Sequence, residues 1–537
     1  MSMWLRMVLV VLSGELLAEA SIGWAYVALV APAPWFLALM APGPDGEELT
    51  LGRAVLLSVL PYAIGGAHMW GLLGIGQLIY WLVVIYLPIA GVVMVLLAWP
   101  FVRPGSSEAL PVWGRLGGLT AAWVVAHATR WMTELSFPTL VGAALIDAPP
   151  FNQLGALAGS WGLEAMIAGV SVLLAEAADR WLRRDPRVGA PLAVALGLVG
   201  VVALGGGVRL ALAEPMITVW PTEGEPPPRP VRPHRTVAIP QASTPNWMHR
   251  QAWHLERFQE AIDANTMALV RDAIGRPMWG REPDWVVMPE STLGRALPAA
   301  EKKALADIRT TFAVSPWPAS TTVFLVMTQR MERRNPERPR ADRKDTVFVL
   351  EAGPDGSVQL RDRVSKRQLV PMGEWRYHPG DPWRPLKTQH GAVGAIICFE
   401  SMYPTIANLL AAQGSEVLLV LTNDSGQRWS DAATWHARLG RLRAMETGQV
   451  MIHASQAGPS FIIDPYGRSS PSVGLFERGV LRAAVVTETV WTPHQAIGPY
   501  GGAALALLAW IGALGWTVGR RQPRNETDEL PHEAQVG

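Results

Sequence analysis

One cysteine occurs in 537 residues, and it closes an apolar run: Cys398, in GAIICFESMYP (394–404), with Glu400 two positions further on. A lone thiol is most often a small buried hydrophobe, and it has no partner for an internal disulfide. Two other stretches give it a chemical context. VVMPEST (286–292) delivers Glu290 at the end of a strand-like run, and SKRQLVPMGE (365–374) carries Lys366 and Glu374. A thiol, with a free pKa of about 8.5, is a weak nucleophile until it loses its proton. A carboxylate such as Glu290 can take that proton as general base. The Lys366 ammonium and the backbone N–H of Phe399 can then stabilise the oxyanion of an attacked carbonyl. Glu374 and Glu400 would hold the ammonium and the base through charge-assisted hydrogen bonds. Singly, each is more simply a turn carboxylate or a solvated cation. Their coincidence with strand ends, where α/β domains present ligand-binding side chains, makes the case.

The elements that must position these residues fall into three parts. Residues 1–213 read as seven apolar segments near the ~20 residues that cross a bilayer, at 3–20, 23–41, 54–73, 77–99, 117–135, 158–178 and 190–212. An eighth covers 499–519, followed by a cytoplasmic tail, 520–537. Trp4, Trp24, Trp70, Trp99 and Trp161 stand near segment ends, as interface anchors do. Arg53, Arg103, Arg115, DRWLRRDPR (179–187) and GRRQPR (519–524) fall on one side, and the loop at 136–157 has no Lys or Arg. The positive-inside rule then places residues 214–498 outside the cytoplasm. A cleavable first segment, with Ala18-Glu19-Ala20 as its site, would leave that placement unchanged. His68, His127, Arg130 and Glu164 are polar groups within these segments and so functional candidates, with helix packing as the alternative.

Residues 214–498 open on a proline-rich spacer, EGEPPPRPVRP (223–233). Strand-like runs follow at 284–290, 321–328, 345–360 (turning at Asp355-Gly356), 391–400, 415–424 and 459–468, with helices expected over 247–273 and 431–448. The basic stretch 329–344 reads as a solvated loop. Strands alternating with helices predict a layered α/β domain. The net charge of +1, from 46 basic and 45 acidic residues, gives no sign of a nucleic-acid partner. Only 17% of residues are charged, against roughly 25% in soluble proteins.

KRQLVPMGE (366–374) and ICFE (397–400) resemble the K-x-x-L-V-P-F-G-E and I-C-Y-E motifs of the nitrilase superfamily of carbon–nitrogen hydrolases, in its membrane-embedded branch, the bacterial apolipoprotein N-acyltransferases. Stretches 26–39, 137–170, 436–449, 464–468 and 490–502 are similar to that branch as well. The resemblance implies a multi-pass α-helical membrane domain joined to an α-β-β-α nitrilase sandwich. It implies Glu290 as base, Lys366 as stabiliser and Cys398 as nucleophile, with no cofactor and no metal. It also implies an acyl donor from the bilayer, typically phosphatidylethanolamine, and as acceptor the N-terminus of a diacylglyceryl-prolipoprotein. The setting would be the inner membrane, with a monomeric enzyme facing the periplasm. TNDSGQRWSD (422–431) keeps the family's Asn-Asp but lacks the W-F-G that follows, with Trp429 as a substitute, and Met372 replaces the usual Phe; Asn423, Trp429, Met372 and His436 are the expected substrate contacts. A water-using amidase and a non-catalytic membrane sensor are the competing readings.

Overall fold

The structure, a computed structural model, describes residues 1–519 except 23, 44–48, 68–76, 104–110, 130–140, 253, 295, 313–318, 332–341, 354, 372 and 428–430. His68, Trp70, Arg130, most of the basic stretch 329–344 and the tail 520–537 therefore lie outside the described residues.

Valine, isoleucine and leucine at period two build two sheets in the C-terminal half. Strands β1 (Ile217–Val219), β2 (His234–Gln241), β3 (Trp285–Val287), β4 (Thr322–Arg330), β5 (Arg343–Ala352), β6 (Val358–Ser365), β7 (Leu386–Thr388), β8 (Gly391–Ile397), β9 (Val417–Thr422), β10 (Met451–Ser455), β11 (Phe461–Ile463) and β12 (Gly479–Val486) follow in chain order. One sheet has the order β1-β12-β2-β3-β4-β5-β6 and the other β11-β10-β9-β8-β7. Their facing sides share one apolar core, with Val237, Val287, Phe324, Val347 and Val349 against Val393, Ile397, Leu419 and Ile452. The back of the first sheet, through Val286, Val323 and Phe348, packs on Met267, Val270 and Ala273 of the helix Glu256–Gly275. The back of the second, through Ile396, Leu418 and Val420, packs on the helices Pro404–Ala412 and Asp431–Thr447. This is the expected α-β-β-α layering.

The connections decide where side chains emerge. β2, β3 and β4 run parallel, as do β8, β9 and β10. Parallel neighbours need a helical crossover, so their carboxyl ends gather along one edge. Glu290 follows β3, Cys398 follows β8, and Asn423 and Asp424 follow β9. Lys366 follows the antiparallel β6.

In the N-terminal half the helices are Met3–Ile22, Ala33–Met40, Leu51–Ala67, Gln77–Val102, Val112–Thr129, Leu154–Leu182 and Gly189–Leu212, and Gly501–Gly519 comes after the sheets. The expected single span over 23–41 is not one helix. It divides into a 3-10 turn at Ala25–Leu29 and the helix Ala33–Met40, because Pro32 and Pro34 interrupt the first and start the second. Three described helical stretches are long and apolar enough to cross a membrane: Val84–Val102, Phe151–Leu182 and Pro186–Leu212. Leu196, Val201, Leu204 and Leu212 on one helix, and Leu505, Leu508 and Trp516 on another, are exposed. His127 and Glu164 are fully buried and satisfied within this region. The ring of His127 bonds Tyr62 Oη and the Trp123 carbonyl, and Glu164 accepts from Trp123 Nε1 and the Gly142 amide. They hold helices together.

The helix Asp431–Thr447 joins the halves. Arg438 and Arg441 both pair with Asp147, which belongs to the segment before the helix Leu154–Leu182. Glu446 accepts from the amide and hydroxyl of Ser160.

Candidate active site

Cys398 opens a 3-10 turn at the end of β8 with a φ of +51°, the left-handed region that a non-glycine residue enters at a cost of roughly 1–3 kcal/mol. Glu400 holds the turn in place. Its Oε2 accepts from the Ile397 amide at 2.9 Å. Its Oε1 accepts from the Arg367 amide at 2.9 Å, the Gln368 amide at 3.1 Å and Trp383 Nε1 at 2.8 Å. One carboxylate thus ties the cysteine turn to the chain that carries Lys366.

Lys366, 1% exposed, donates from Nζ to Glu374 Oε1 at 2.7 Å and to Glu290 Oε1 at 3.5 Å. Glu374 Oε2 accepts from the Val370 amide at 2.8 Å, which closes the K-x-x-L-V-P-x-G-E loop on itself. Glu290 Oε2 accepts from the backbone N–H of Asn423 at 2.9 Å. Burial alone would push the Glu290 carboxyl up, but Lys366 and the hydrogen bonds from Asp345, Cys398 and Asn423 hold it below the usual carboxylate range. Burial likewise disfavours the Lys366 ammonium, yet Glu290 and Glu374 keep it charged well beyond its ordinary pKa. Burial, and then the charge of Glu290, push the Cys398 thiol well up. The resting cluster is therefore a thiol beside a carboxylate and an ammonium. A nucleophile forms there only if the proton leaves as the new bond forms.

The structure brings Glu290, Lys366, Glu374, Cys398 and Glu400 together. Phe399 is buried, with its ring edge-on to Tyr403 at 5.4 Å. Asn423 reaches the cluster through its amide, while its side-chain oxygen accepts from Ser425. His436, expected at the substrate, is 1% exposed, with its Nε2 3.0 Å from the carbonyl of Cys398. Met372 and Trp429 lie outside the described residues.

Sequence reasoning missed Asp345. It is 4% exposed, and burial and the adjacent Glu290 push its pKa well above the carboxylate range, so it enters the cluster as a neutral acid bonded to Glu290. A signal was available. Asp345, Val347 and Val349 alternate along β5, and the two valines belong to the core between the sheets, so Asp345 points inward too.

Asp424, His436 and His453 form the grouping of possible metal ligands found among the described residues, their ligand atoms within 4.8 Å of one another. Both nitrogens of His436 bond protein groups and His453 Nδ1 lies 3.0 Å from the Pro459 carbonyl, while His453 Nε2 has no hydrogen-bond partner among the described residues. Burial holds His453 down to about 4. Between pH 6.5 and 4 the unfolded histidine binds a proton that the folded one does not. Stability should thus fall as pH drops through that window, by up to about 1.4 kcal/mol per pH unit. His453→Phe, which keeps the stack on Phe461 (4.8 Å), is expected to flatten the thermal midpoint against pH there. An unchanged slope would refute the assignment.

Residues 324–492 match the carbon–nitrogen hydrolase family model, a span that contains both Lys366 and Cys398. That part of the chain is similar to the carbon–nitrogen hydrolases. The likeness read from the two motifs is borne out in the relatives as well. Over 143 residues the chain is 36% identical to the apolipoprotein N-acyltransferase of Pseudomonas paraeruginosa, covering 26% of this chain and 28% of that one. Over 387 residues it is 26% identical to the apolipoprotein N-acyltransferase of Caulobacter vibrioides, covering 67% of this chain and 65% of the relative. The matched stretches thus span between about a quarter and two thirds of these relatives' lengths. Among solved structures, Saccharomyces cerevisiae Nit3 of the nitrilase superfamily aligns at 18% identity over 47% of this chain and 90% of its own, with a TM-score of 0.36.

Proposed function

We propose that this protein is an apolipoprotein N-acyltransferase. It moves a fatty acyl chain from a membrane phospholipid, through a thioester on Cys398, to the N-terminal amine of a diacylglyceryl-cysteine. The observation that carries the reading is the convergence of Glu290, Lys366 and Cys398 in one buried cluster on a chain whose other half exposes apolar helices.

Cys398 Sγ attacks the ester carbonyl while its proton passes to Glu290. The oxyanion is met by the Lys366 ammonium and the Phe399 N–H. As the tetrahedral species collapses, the C–O bond breaks, Glu290 returns the proton to the departing lysophospholipid oxygen, and the acyl group stays on sulfur. The acceptor amine then attacks the thioester and gives a proton to Glu290. The C–S bond breaks, and the thiolate takes that proton back. Glu374 and Asp345 hold Lys366 and Glu290 in register throughout.

The helices give this chemistry its setting. Both substrates carry lipid tails that cost about 0.8 kcal/mol per CH₂ to expose to water. A belt of exposed leucine and valine around helices long enough to span suits a bilayer far better than water. On this reading residues 1–213 and 499–519 are membrane-spanning, 214–498 form the catalytic domain outside the cytoplasm, and the enzyme resides in the bacterial plasma membrane. The same belt favours transfer between lipids over hydrolysis of a soluble amide.

The test is mass spectrometry of the purified protein after incubation with phosphatidylethanolamine vesicles. One acyl mass on Cys398, discharged by a diacylglyceryl-cysteine peptide that gains an amide, is the expected result. An acyl group released only as free fatty acid would point to the amidase, and no adduct at all would end the proposal.

A further inference from the structure

The strained cysteine turn has a second support, buried behind it. The carbonyl of Cys398 lies 3.0 Å from His436 Nε2, and Ser401 Oγ lies 2.9 Å from the same nitrogen. On the other side of the ring, Nδ1 is 2.9 Å from Asp424 Oδ1. Asp424, 0% exposed, is itself fixed, with Gln427 Nε2 donating to Oδ1 at 3.0 Å and Ser455 Oγ donating to Oδ2 at 2.8 Å. A carbonyl and a carboxylate only accept hydrogen bonds. His436 thus bridges Asp424 and the backbone of the cysteine, and although burial opposes a charged ring, Asp424 raises its pKa and so favours hydrogen on both nitrogens. Three elements meet in this arrangement: the end of β9 supplies Asp424, the helix Asp431–Thr447 supplies His436, and β10 supplies Ser455.

We propose that Asp424 and His436 are a positioning pair for the nucleophile: the Nε2–H bond to the Cys398 carbonyl holds the left-handed turn and so aims Sγ at the substrate's carbonyl carbon and the Phe399 N–H at its oxygen. Neither side chain touches substrate. This deepens the acyltransfer reading and rests on it for its activity readout, whereas the reactivity of the thiol toward a simple alkylating agent does not.

Glutamine and asparagine separate the positions. Glutamine places an amide N–H near where Nε2 stands, while asparagine reaches only the Nδ1 position. The experiment compares His436→Gln with His436→Asn in the full-length protein. The rates of Cys398 alkylation by iodoacetamide and of thioester formation from phosphatidylethanolamine vesicles are measured for both, with kcat and KM separated. His436→Gln is expected within about threefold of the parent in both rates. His436→Asn should lose about 10- to 100-fold, the range of a hydrogen bond to a charged group, in kcat with KM for the phospholipid unchanged. Equal losses in the two variants, or a change confined to KM, would overturn the proposal. Should His436→Asn fail to fold, Asp424→Asn serves in its place. It keeps an acceptor for Nδ1 but removes the charge that keeps Nε2 protonated, and it should slow alkylation about tenfold; an unchanged rate would overturn the proposal as well. If the parent takes no acyl chain while alkylation still ranks glutamine above asparagine, the acyltransfer reading fails and the positioning pair stands.

Discussion

Cys398→Ser is expected to yield a folded protein that takes no acyl chain from phospholipid, with turnover down by at least about 10⁴-fold. A hydroxyl is nearly isosteric with the thiol, but its proton is far harder to remove. Glu290, held below the usual carboxylate range by Lys366 against the cost of burial, is too weak a base to compensate. The fold should hardly notice, because the Cys398 side chain is only partly buried and serine meets the same φ of +51° at similar cost. Cys398→Gly sharpens the test. Glycine enters the left-handed region without strain, so this variant is expected to be inactive yet to melt above Cys398→Ser, by about 1 kcal/mol of stability. Thioester mass and thermal midpoints of the two variants check both halves. Residual acyl transfer in either, at more than a few per cent of the parent, would remove Cys398 from the proposed mechanism. A lower midpoint for glycine would mean that the turn is not strained.

Much of this site was legible because its parts are local. A cysteine two residues before a glutamate at the end of an apolar run places a side chain at a strand end whatever the strand pairs with. The loop from Lys366 to Glu374 likewise closes on itself through the Val370 amide. What stayed hidden depends on pairing. β2, with Pro240 and a basic start, and β12, interrupted by Arg482, carry weak strand patterns. They form because each offers the other a complete antiparallel ladder, from Gly479 opposite Gln241 to Val486 opposite His234. β10 follows its helix after only Gly448 and Gln449–Val450, too short a break to read as a boundary. Asp345 was concealed for the same reason, since its facing follows from the alternation of β5 but its meeting with Glu290 follows from β5 lying beside β4 and β4 beside β3. The role of His436 depends on three chain segments meeting, and no spacing along one helix announces that.

Lys366→Met is expected to cost both activity and stability, and the stability loss should shrink in acid. In the parent one ammonium, almost wholly buried, faces Glu374 at 2.7 Å and Glu290 at 3.5 Å. Removing one partner of a buried ion pair typically costs about 3–5 kcal/mol, because the other charge stays buried and uncompensated. Burial, unopposed by Lys366, would then raise the Glu290 carboxyl above its unfolded value of 4.5 and lift the Glu374 carboxyl, already raised by burial in the parent, further. An acid whose folded pKa is raised binds more protons folded than unfolded, so the variant should gain stability as pH falls from 8 toward 5. The parent has the opposite sign at Glu290, whose depressed pKa lends stability that is fully present down to about pH 4.5 and is lost only below it, so between pH 8 and 5 the change comes from the variant. The gap between the two melting curves should therefore narrow steadily between pH 8 and 5. A gap independent of pH would show that the loss is one of packing and not of charge. Lys366→Met combined with Glu374→Gln separates the roles further. Taking away one orphaned carboxylate should recover a large part of the stability, while acyl transfer stays absent because the oxyanion still lacks its ammonium.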